Sequence, residues 1–320
     1  MLKETLLNSL ADLVASNANA ERILCGFCAN SFARDRLKLS AIAYRYISKL
    51  DQPKFRIAQL DGYKMWVNIA EYQGLFLYFF RQQLEPASTK LASLLLHPGD
   101  TCIDAGANLG SYTFLMASRV GDRGRVYAFE PQPKLYKTLL DSIDLNGFNK
   151  IIIPDSRALS DRSGQTLKIY LSEDIRNSGI SSKIRYGDFL DENCFIETQT
   201  VALNDYWKEQ QIEQCHLLKI DVEGAERDVL QGAIDLLKNQ RIHYLLVEQA
   251  AHSEAHRILN SCGYRGWKIN ELNQTLTPEQ NVERGSFGNH LFVSPARIKS
   301  FTNCCSQWLK TSTQIPLSTS

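Results

Sequence analysis

Two hydrophobic rhythms divide this chain. In the first fifty residues apolar side chains return every three or four positions. Leu6, Leu7, Leu10, Leu13 and Val14 share one helical face, and Leu37, Leu39, Ile42, Ala43, Tyr46 and Ile47 mark another. Asp51-Gln52-Pro53 ends that pattern. Residues 55–60 and 63–67 then read as strands joined by Asp61-Gly62, a strong hairpin dipeptide. The aromatic-rich stretch 72–84 reads as a helix packing onto the domain downstream. Beyond His97-Pro98-Gly99-Asp100, short apolar runs alternate with amphipathic stretches. Strands are predicted at 101–105, 125–129, from 151, at 217–220 and at 244–247, with helices at 111–120, 134–145, through Leu236 and Leu237, and at 253–260. Residues 166–171 and 198–203 look like strands of an insertion, and 264–269 and 291–293 like two terminal strands. This alternation predicts an α/β fold, a parallel sheet with helices on both faces. Residues from about 297 end in a Ser/Thr-rich stretch and are expected to be peripheral or mobile.

The candidate chemistry gathers where strands end. Asp104-Ala-Gly106-Ala-Asn108-Leu-Gly110 follows the first core strand, and Glu130 closes the second. A glycine loop that lets backbone N–H groups approach a ligand, with an acid placed to accept ribose hydroxyls, suits an adenosine-containing cofactor. The dinucleotide fingerprint needs a glycine where Asn108 stands, so pyrophosphate has less room. Asp104 is placed instead to face a cation such as the amino group of an amino-acid tail. S-adenosylmethionine carries that tail, an adenosine and no phosphate. Asp155, Ser156 and Ala158, at the third strand tip, are open alternatives for flanking the adenine. Asp221 and Glu223 follow the strand 217–220, and Glu248 and His252 follow 244–247. In an open α/β sheet ligands bind beyond the carboxyl ends of the strands, so four strand tips bring acids to one rim.

Composition narrows the setting. Of 320 residues 44% are hydrophobic and 22% charged, and the formal net charge is +1, which gives no electrostatic footprint for nucleic acid. No apolar run is long enough to span a bilayer. Lys3, Glu4, Asn8 and Asp12 interrupt the apolar core a signal peptide would need. The eight cysteines are scattered, as in reduced thiols, and a cytoplasmic protein is expected. Cys25-Gly-Phe-Cys28 has no second C-x-x-C or close histidine pair to complete a metal site, so no metal ligands are assigned. The polar loop 177–182 is a surface loop that could also meet an acceptor.

The runs 103–113 (Ile-Asp-Ala-Gly-Ala-Asn-Leu-Gly-Ser-Tyr-Thr), 124–133 (Gly-Arg-Val-Tyr-Ala-Phe-Glu-Pro-Gln-Pro), 158–161 (Ala-Leu-Ser-Asp) and 217–226 (Leu-Leu-Lys-Ile-Asp-Val-Glu-Gly-Ala-Glu) together resemble the FkbM-type family of class I S-adenosylmethionine-dependent methyltransferases. The resemblance covers about 95–295; Ser142 stands where the family usually shows asparagine. It implies a Rossmann-like sheet, mostly parallel with one reversed strand, to which the pattern upstream adds an N-terminal helical and hairpin extension. Together with the residue patterns above, the expected segments are a helical extension 1–50, a hairpin and helix 51–98, a methyltransferase domain 99–296 and a peripheral tail 297–320; the first fifty residues lie outside the resemblance. It implies cofactor contacts from Asp104, Gly106, Ala107, Asn108, Gly110, Ser111, Tyr112, Thr113, Glu130, Pro131, Ser156, Ala158 and Asp221. It also implies methylation of a hydroxyl oxygen on a sugar, glycan or natural product.

An alcohol needs a base near the rim. Asp221 is the first candidate, with Glu223, Glu248 and His252 as rivals, and a divalent cation held by Asp221 and Glu248 is a further route. An NAD-dependent oxidoreductase and a non-catalytic cofactor-binding protein are the alternative classes.

Overall fold

Helix α1 (Leu2–Ser16) turns a narrower stripe inward than its apolar count suggests. Ala11 and Val14 are buried and Leu7 and Leu10 half-buried, while Leu6 and Leu13 are 61% and 52% exposed. The computed structural model describes residues 2–30, 39–50, 53–171, 181–182 and 194–310; Leu37 lies outside them. Helix α2 (Ala18–Cys28) is capped by Asn17, whose side chain accepts the N–H groups of Asn19 and Ala20. Helix α3 (Leu39–Ser48) buries Ile42, Ala43, Tyr46 and Ile47. The buried Glu21 ties these helices to the hairpin β1 (Phe55–Leu60) and β2 (Tyr63–Asn68). Its carboxylate accepts from Tyr46 Oη at 2.7 Å and Arg56 Nε at 2.6 Å, with the Lys54 ammonium 3.0 Å away. Cys25 and Cys28 are buried, and the Cys25 thiol donates to the Tyr78 carbonyl at 3.1 Å. The expected aromatic helix is α4 (Tyr72–Leu75), which widens into a π-helical turn over Phe76–Phe80 and stops at left-handed Arg81. Helix α5 (Pro86–Leu95) leads into the sheet.

The central elements follow as β3 (Thr101–Ala105), α6 (Ser111–Val120), β4 (Arg125–Phe129), α7 (Pro133–Asn146) and β5 (Ile152–Asp155). Then come β6 (Ala158–Ser160), β7 (Thr166–Leu171), β8 (Ser181–Ser182), β9 (Phe195–Ala202), α8 (Leu203–Glu209) and β10 (Cys215–Ile220). The chain continues through α9 (Glu226–Gly232), α10 (Ile234–Lys238), β11 (Ile242–Ala250), α11 (Glu254–Ser261), β12 (Arg265–Asn270), β13 (Thr275–Pro278) and β14 (Phe287–Val293), closing with α12 (Ile298–Cys304) and α13 (Ser306–Lys310).

Eight strands form one sheet in the order β13-β12-β14-β11-β10-β3-β4-β5. From β5 to β11 every pair is parallel. β14 runs antiparallel to both β11 and β12, and β13 antiparallel to β12, so two strands are reversed where one was expected. β13 is short and polar (Thr-Leu-Thr-Pro), and no apolar rhythm announces it. Successive residues of the central strands feed two cores, as the two-residue strand period requires. Cys102, Val126, Ala128 and Leu217 join one face's cluster, while Ile103, Tyr127, Phe129 and Leu218 join the other's. The first of these clusters also includes Tyr46, Met65 and Phe79 from the N-terminal elements.

Several expected boundaries move. The helix expected to run through Leu237 is divided, and Gly232 lies so close to the Ser160 carbonyl that a Cβ would come within 2.0 Å. β11 continues to Ala250, so Glu248 lies within the strand, opposite Asn289. Residues expected to be peripheral carry α12 and α13; Phe301 and Trp308 from these helices, and Cys305 between them, are buried in the core. β6, β9, β7 and β8 form a separate four-stranded sheet. Among the described residues no helix is long and apolar enough to cross a membrane.

Candidate active site

Two cavities adjoin at the carboxyl ends of β3, β4, β10 and β11, where the strand order switches direction between β3 and β10. One spans about 690 Å³ and opens to solvent. Its walls are mainly apolar: Phe129 and Leu159, Leu167 and Ile169 from the small sheet, and Val222 and Ala225 after β10. Glu130 supplies its buried charge. One Glu130 oxygen accepts the Asn108 N–H at 2.7 Å, the other the Gln132 N–H at 2.8 Å. Burial pushes this carboxyl up to about 7 against those two donors. Gly106, Pro131, Gln132 and Ala158 also line it. Of the three alternatives at the third strand tip, Ala158 alone faces the cavity. Asp155 is forked by Arg157 at 2.6 Å, and Ser156 is exposed with its carbonyl bonded to Thr198.

The glycine loop behaves differently from expectation. Its N–H groups are spent inside the protein: Gly106 and Ala107 donate to the Phe129 carbonyl, Asn108 to Glu130, Leu109 to the Asn108 side chain and Gly110 to the Ala107 carbonyl. They do not point at a ligand. Gly106 is needed for another reason. At φ +78° a Cβ would sit 1.9 Å from the Asp221 carbonyl oxygen, so the β3 and β10 loops can cross only at a glycine. Asn108 also has positive φ, +53°, a region asparagine tolerates. Gly110 packs on Phe114 and Leu139.

Asp104 faces a cation, but one from the protein. Fully buried, it accepts from Thr113 Oγ1 at 2.6 Å and lies 3.6 Å from the Lys219 ammonium. Lys219 also donates to the Gly106 carbonyl at 2.9 Å, reaches Asp221 at 3.2 Å and sits over the Tyr112 ring. Burial works to lower the lysine; Asp221, Asp104 and Glu85 outweigh it and hold it above its ordinary value. No motif spacing marks Lys219, although a lysine inside the otherwise apolar strand Leu-Leu-Lys-Ile is itself a signal.

The second cavity, about 1010 Å³, opens on the other side of Asp221. Ala107, Ser111 and Tyr112, expected beside the cofactor, line this side, with Glu248, Glu71, Gln83 and Glu85. Tyr112 Oη donates to Glu85 at 2.7 Å, and burial raises the Glu85 carboxyl. Asn108, Asp221 and Glu223 border both cavities. Burial first, then the Asp221, Glu85 and Glu223 charges, push Glu248 up to about 8. Burial and Asp221 push Glu223 up to about 7. The turn that presents these acids is held by Glu226, which accepts the Gly224 and Val222 N–H groups at 3.0 and 3.4 Å, with Glu223 and Gly224 both at positive φ. His252 is not brought to the rim. It is exposed, and its Nε2 meets the Val282 carbonyl at 3.0 Å, because β11 runs on past Glu248 and turns the chain away. Residues 177–180 of the polar loop lie outside the described residues.

Residues 104–265 match the family model described as the methyltransferase FkbM domain. Among curated relatives, "Methyltransferase 1" of Beauveria bassiana is 27% identical over 151 residues, 43% of this chain and 60% of its own. "31-O-demethyl-FK506 methyltransferase FkbM" of Streptomyces tacrolimicus is 30% identical over 165 residues, 44% of this chain and 62% of its own. "2-O-methyltransferase NoeI" of Sinorhizobium fredii is 27% identical over 167 residues, 48% and 66%. The chain thus spans about 60% of the length of the first two.

Proposed function

Since the chain belongs to the FkbM methyltransferase family, we propose that it transfers a methyl group from S-adenosylmethionine to a hydroxyl oxygen of a sugar, glycan or other natural product. The residues of the first cavity fit this cofactor. Each Glu130 oxygen accepts a single N–H, which leaves acceptor capacity for the two ribose hydroxyls. Phe129, Leu159, Leu167, Ile169 and Val222 offer apolar walls to a base. A pyrophosphate would find the loop N–H groups already engaged, which counts against a dinucleotide. Asn108 and Asp221, shared by both cavities, would meet the amino-acid end. Bound there, the cofactor supplies a sulfonium-activated methyl group.

The acceptor side supplies the base. Asp221 is engaged by Lys219 at 3.2 Å and is assigned to positioning; the proton of the acceptor hydroxyl passes to Glu248. The observation that carries this reading is Glu248 within the shared acid cleft, pushed up to about 8, where a carboxylate is a competent base near neutral pH. Two relatives are named for O-methylation, which favours a hydroxyl acceptor. Glu71, Glu85, Glu223 and Glu248 along the wall favour hydroxyl groups over phosphates.

The test uses labelled S-adenosylmethionine with cell extract and a panel of polyols. Wild-type rate should rise with pH through about 8 as Glu248 loses its proton. Glu248→Gln should lower kcat by about 10²- to 10⁴-fold and flatten the profile, with S-adenosylhomocysteine affinity retained. Wild-type kcat and pH profile in that variant would remove Glu248 as base. Calorimetry showing tight NAD binding and none of S-adenosylhomocysteine would remove the methyltransferase reading itself.

A further inference from the structure

Beside the rim, beneath the α11 start, three ionisable side chains from separate elements meet in the interior. His256 comes from α11, Glu279 from the 3-10 turn Glu279–Asn281 after β13, and His290 from β14; they are 1%, 7% and 0% exposed. Each offers one ligand atom, and these atoms all lie within 4.8 Å of one another. His256 Nε2 is 2.7 Å from Glu279 Oε1, and His290 Nδ1 is 3.2 Å from Glu279 Oε2.

Two features of the His256 ring suit a metal ligand better than a simple hydrogen-bonding group. First, His256 Nε2 lies 2.7 Å from the Glu279 carboxylate without the alignment of a hydrogen bond, whereas His290 Nδ1 is hydrogen-bonded to the other carboxylate oxygen at 3.2 Å. Two ligands of one ion stand in this way. With bonds of about 2.0 to 2.2 Å they lie about 3 Å apart, each directed at the shared centre rather than at the other. Second, the other nitrogen of the same ring is held from behind. His256 Nδ1 contacts Ser253 Oγ at 3.2 Å, and that hydroxyl donates to Gln249 at 2.9 Å, the kind of outer partner that fixes a ligating imidazole.

We propose that His256, Glu279 and His290 bind a divalent transition metal, with zinc the best match to two imidazoles and one carboxylate. Three protein ligands leave the fourth tetrahedral position to a small exogenous ligand. The ion would pin β14 and the 3-10 turn to α11. β14 also carries Asn289, opposite Glu248, so the site would brace the strand pair beneath the acceptor cleft. This assignment is independent of the reaction proposed above.

The full chain, stripped with a chelator, is titrated with zinc chloride alone and, separately, with cobalt chloride. One equivalent of zinc should bind per chain and raise the melting temperature. Cobalt should give the visible bands of a tetrahedral nitrogen and oxygen site without a thiolate charge-transfer band. Ser253→Ala should keep the stoichiometry with affinity weakened about 10- to 100-fold, while Glu279→Gln and His290→Ala should lose it. Absence of stoichiometric zinc in the wild type overturns the proposal, as does wild-type affinity in Glu279→Gln or His290→Ala. A thiolate-to-cobalt band overturns it too, by moving the metal to cysteine. Because the wild-type chain alone can fail, an unfolded variant would not shield the assignment.

Discussion

The two halves of the cleft are built on opposite terms. The cofactor half is polar in sequence and closed in structure: the N–H groups from Gly106 to Gly110 are satisfied within the protein, leaving apolar walls and the Glu130 carboxylate to do the recognising. The acceptor half keeps its acids close together. Glu85, Glu223 and Glu248 are all pushed up by burial, and Asp221 adds to each. One half recognises by shape around the buried Glu130 carboxyl, and the other gathers several carboxyl groups ready to exchange protons. Lys219 lies at the seam, bonded to the Gly106 carbonyl of the first half and to Asp221 of the second.

The sharpest way to break the seam is Gly106→Ala. The methyl group would meet the Asp221 carbonyl at 1.9 Å in a backbone region hostile to side chains, so the β3 and β10 loops must separate. Urea unfolding should show a loss of roughly 2 to 5 kcal/mol, with S-adenosylhomocysteine binding abolished. Gly147→Ala is the control. Gly147 shares a positive φ, +67°, but a Cβ there meets nothing within 4 Å, so only about 1 kcal/mol should be lost. Equal losses in the two would mean that the crossing of the loops is not what Gly106 provides.

A smaller effect separates the halves by chemistry. Glu130→Gln should weaken S-adenosylhomocysteine binding about 10- to 100-fold, the scale of a hydrogen bond to a charged group. The wild-type affinity should also tighten as pH rises through about 7, where Glu130 becomes the carboxylate that accepts from ribose, and the variant should lack that dependence. Calorimetry between pH 6 and 8 measures both. An unchanged Kd in Glu130→Gln would dismiss Glu130 as the group that recognises the ribose.

These contrasts also explain what could be read in advance. Asp104, Gly106, Asn108 and Glu130 fall within one local strand–loop–helix–strand unit, whose apolar runs end where the acids begin, so periodicity places them on one rim. Their partners were another matter. Asp104 is expected to face a cation, and the cation is Lys219, 115 positions later and next to it only because β3 and β10 pair in parallel. Leu167 and Ile169 share one face of β7, but nothing in their alternation says that the small sheet folds over the cofactor side. Glu85 lies just past the aromatic stretch 72–84, and the groups that mark it as part of the cleft, Tyr112 and Asn289, come from distant elements. His252 failed for the converse reason. It follows a strand judged to end at Val247, and three more paired residues carry the chain away from the rim. His256, Glu279 and His290 have no ligand-like spacing at all; α11, the 3-10 turn and β14 bring them together.

The gentlest perturbation tests whether the acceptor half is strained by its own charges. Glu248 is raised from an ordinary carboxyl value to about 8 by burial and by the acids around it. The folded chain therefore holds that proton more tightly than the unfolded chain does. Between about pH 4.5 and 8 the native state binds more protons, so stability falls as pH rises through that window. Glu248→Gln removes the charge and keeps the shape. In the ligand-free protein the variant should melt with the wild type near pH 4, then above it by a few degrees at pH 8.5, the gap opening as Glu248 ionises. The same substitution would thus stabilise the fold while it slows the reaction, the trade expected where a base is kept in a site unfavourable to its charge. A melting curve for Glu248→Gln that tracks the wild type from pH 4 to 8.5 would show that Glu248 ionises without strain, and the contrast between the halves would then rest on Glu85 and Glu223.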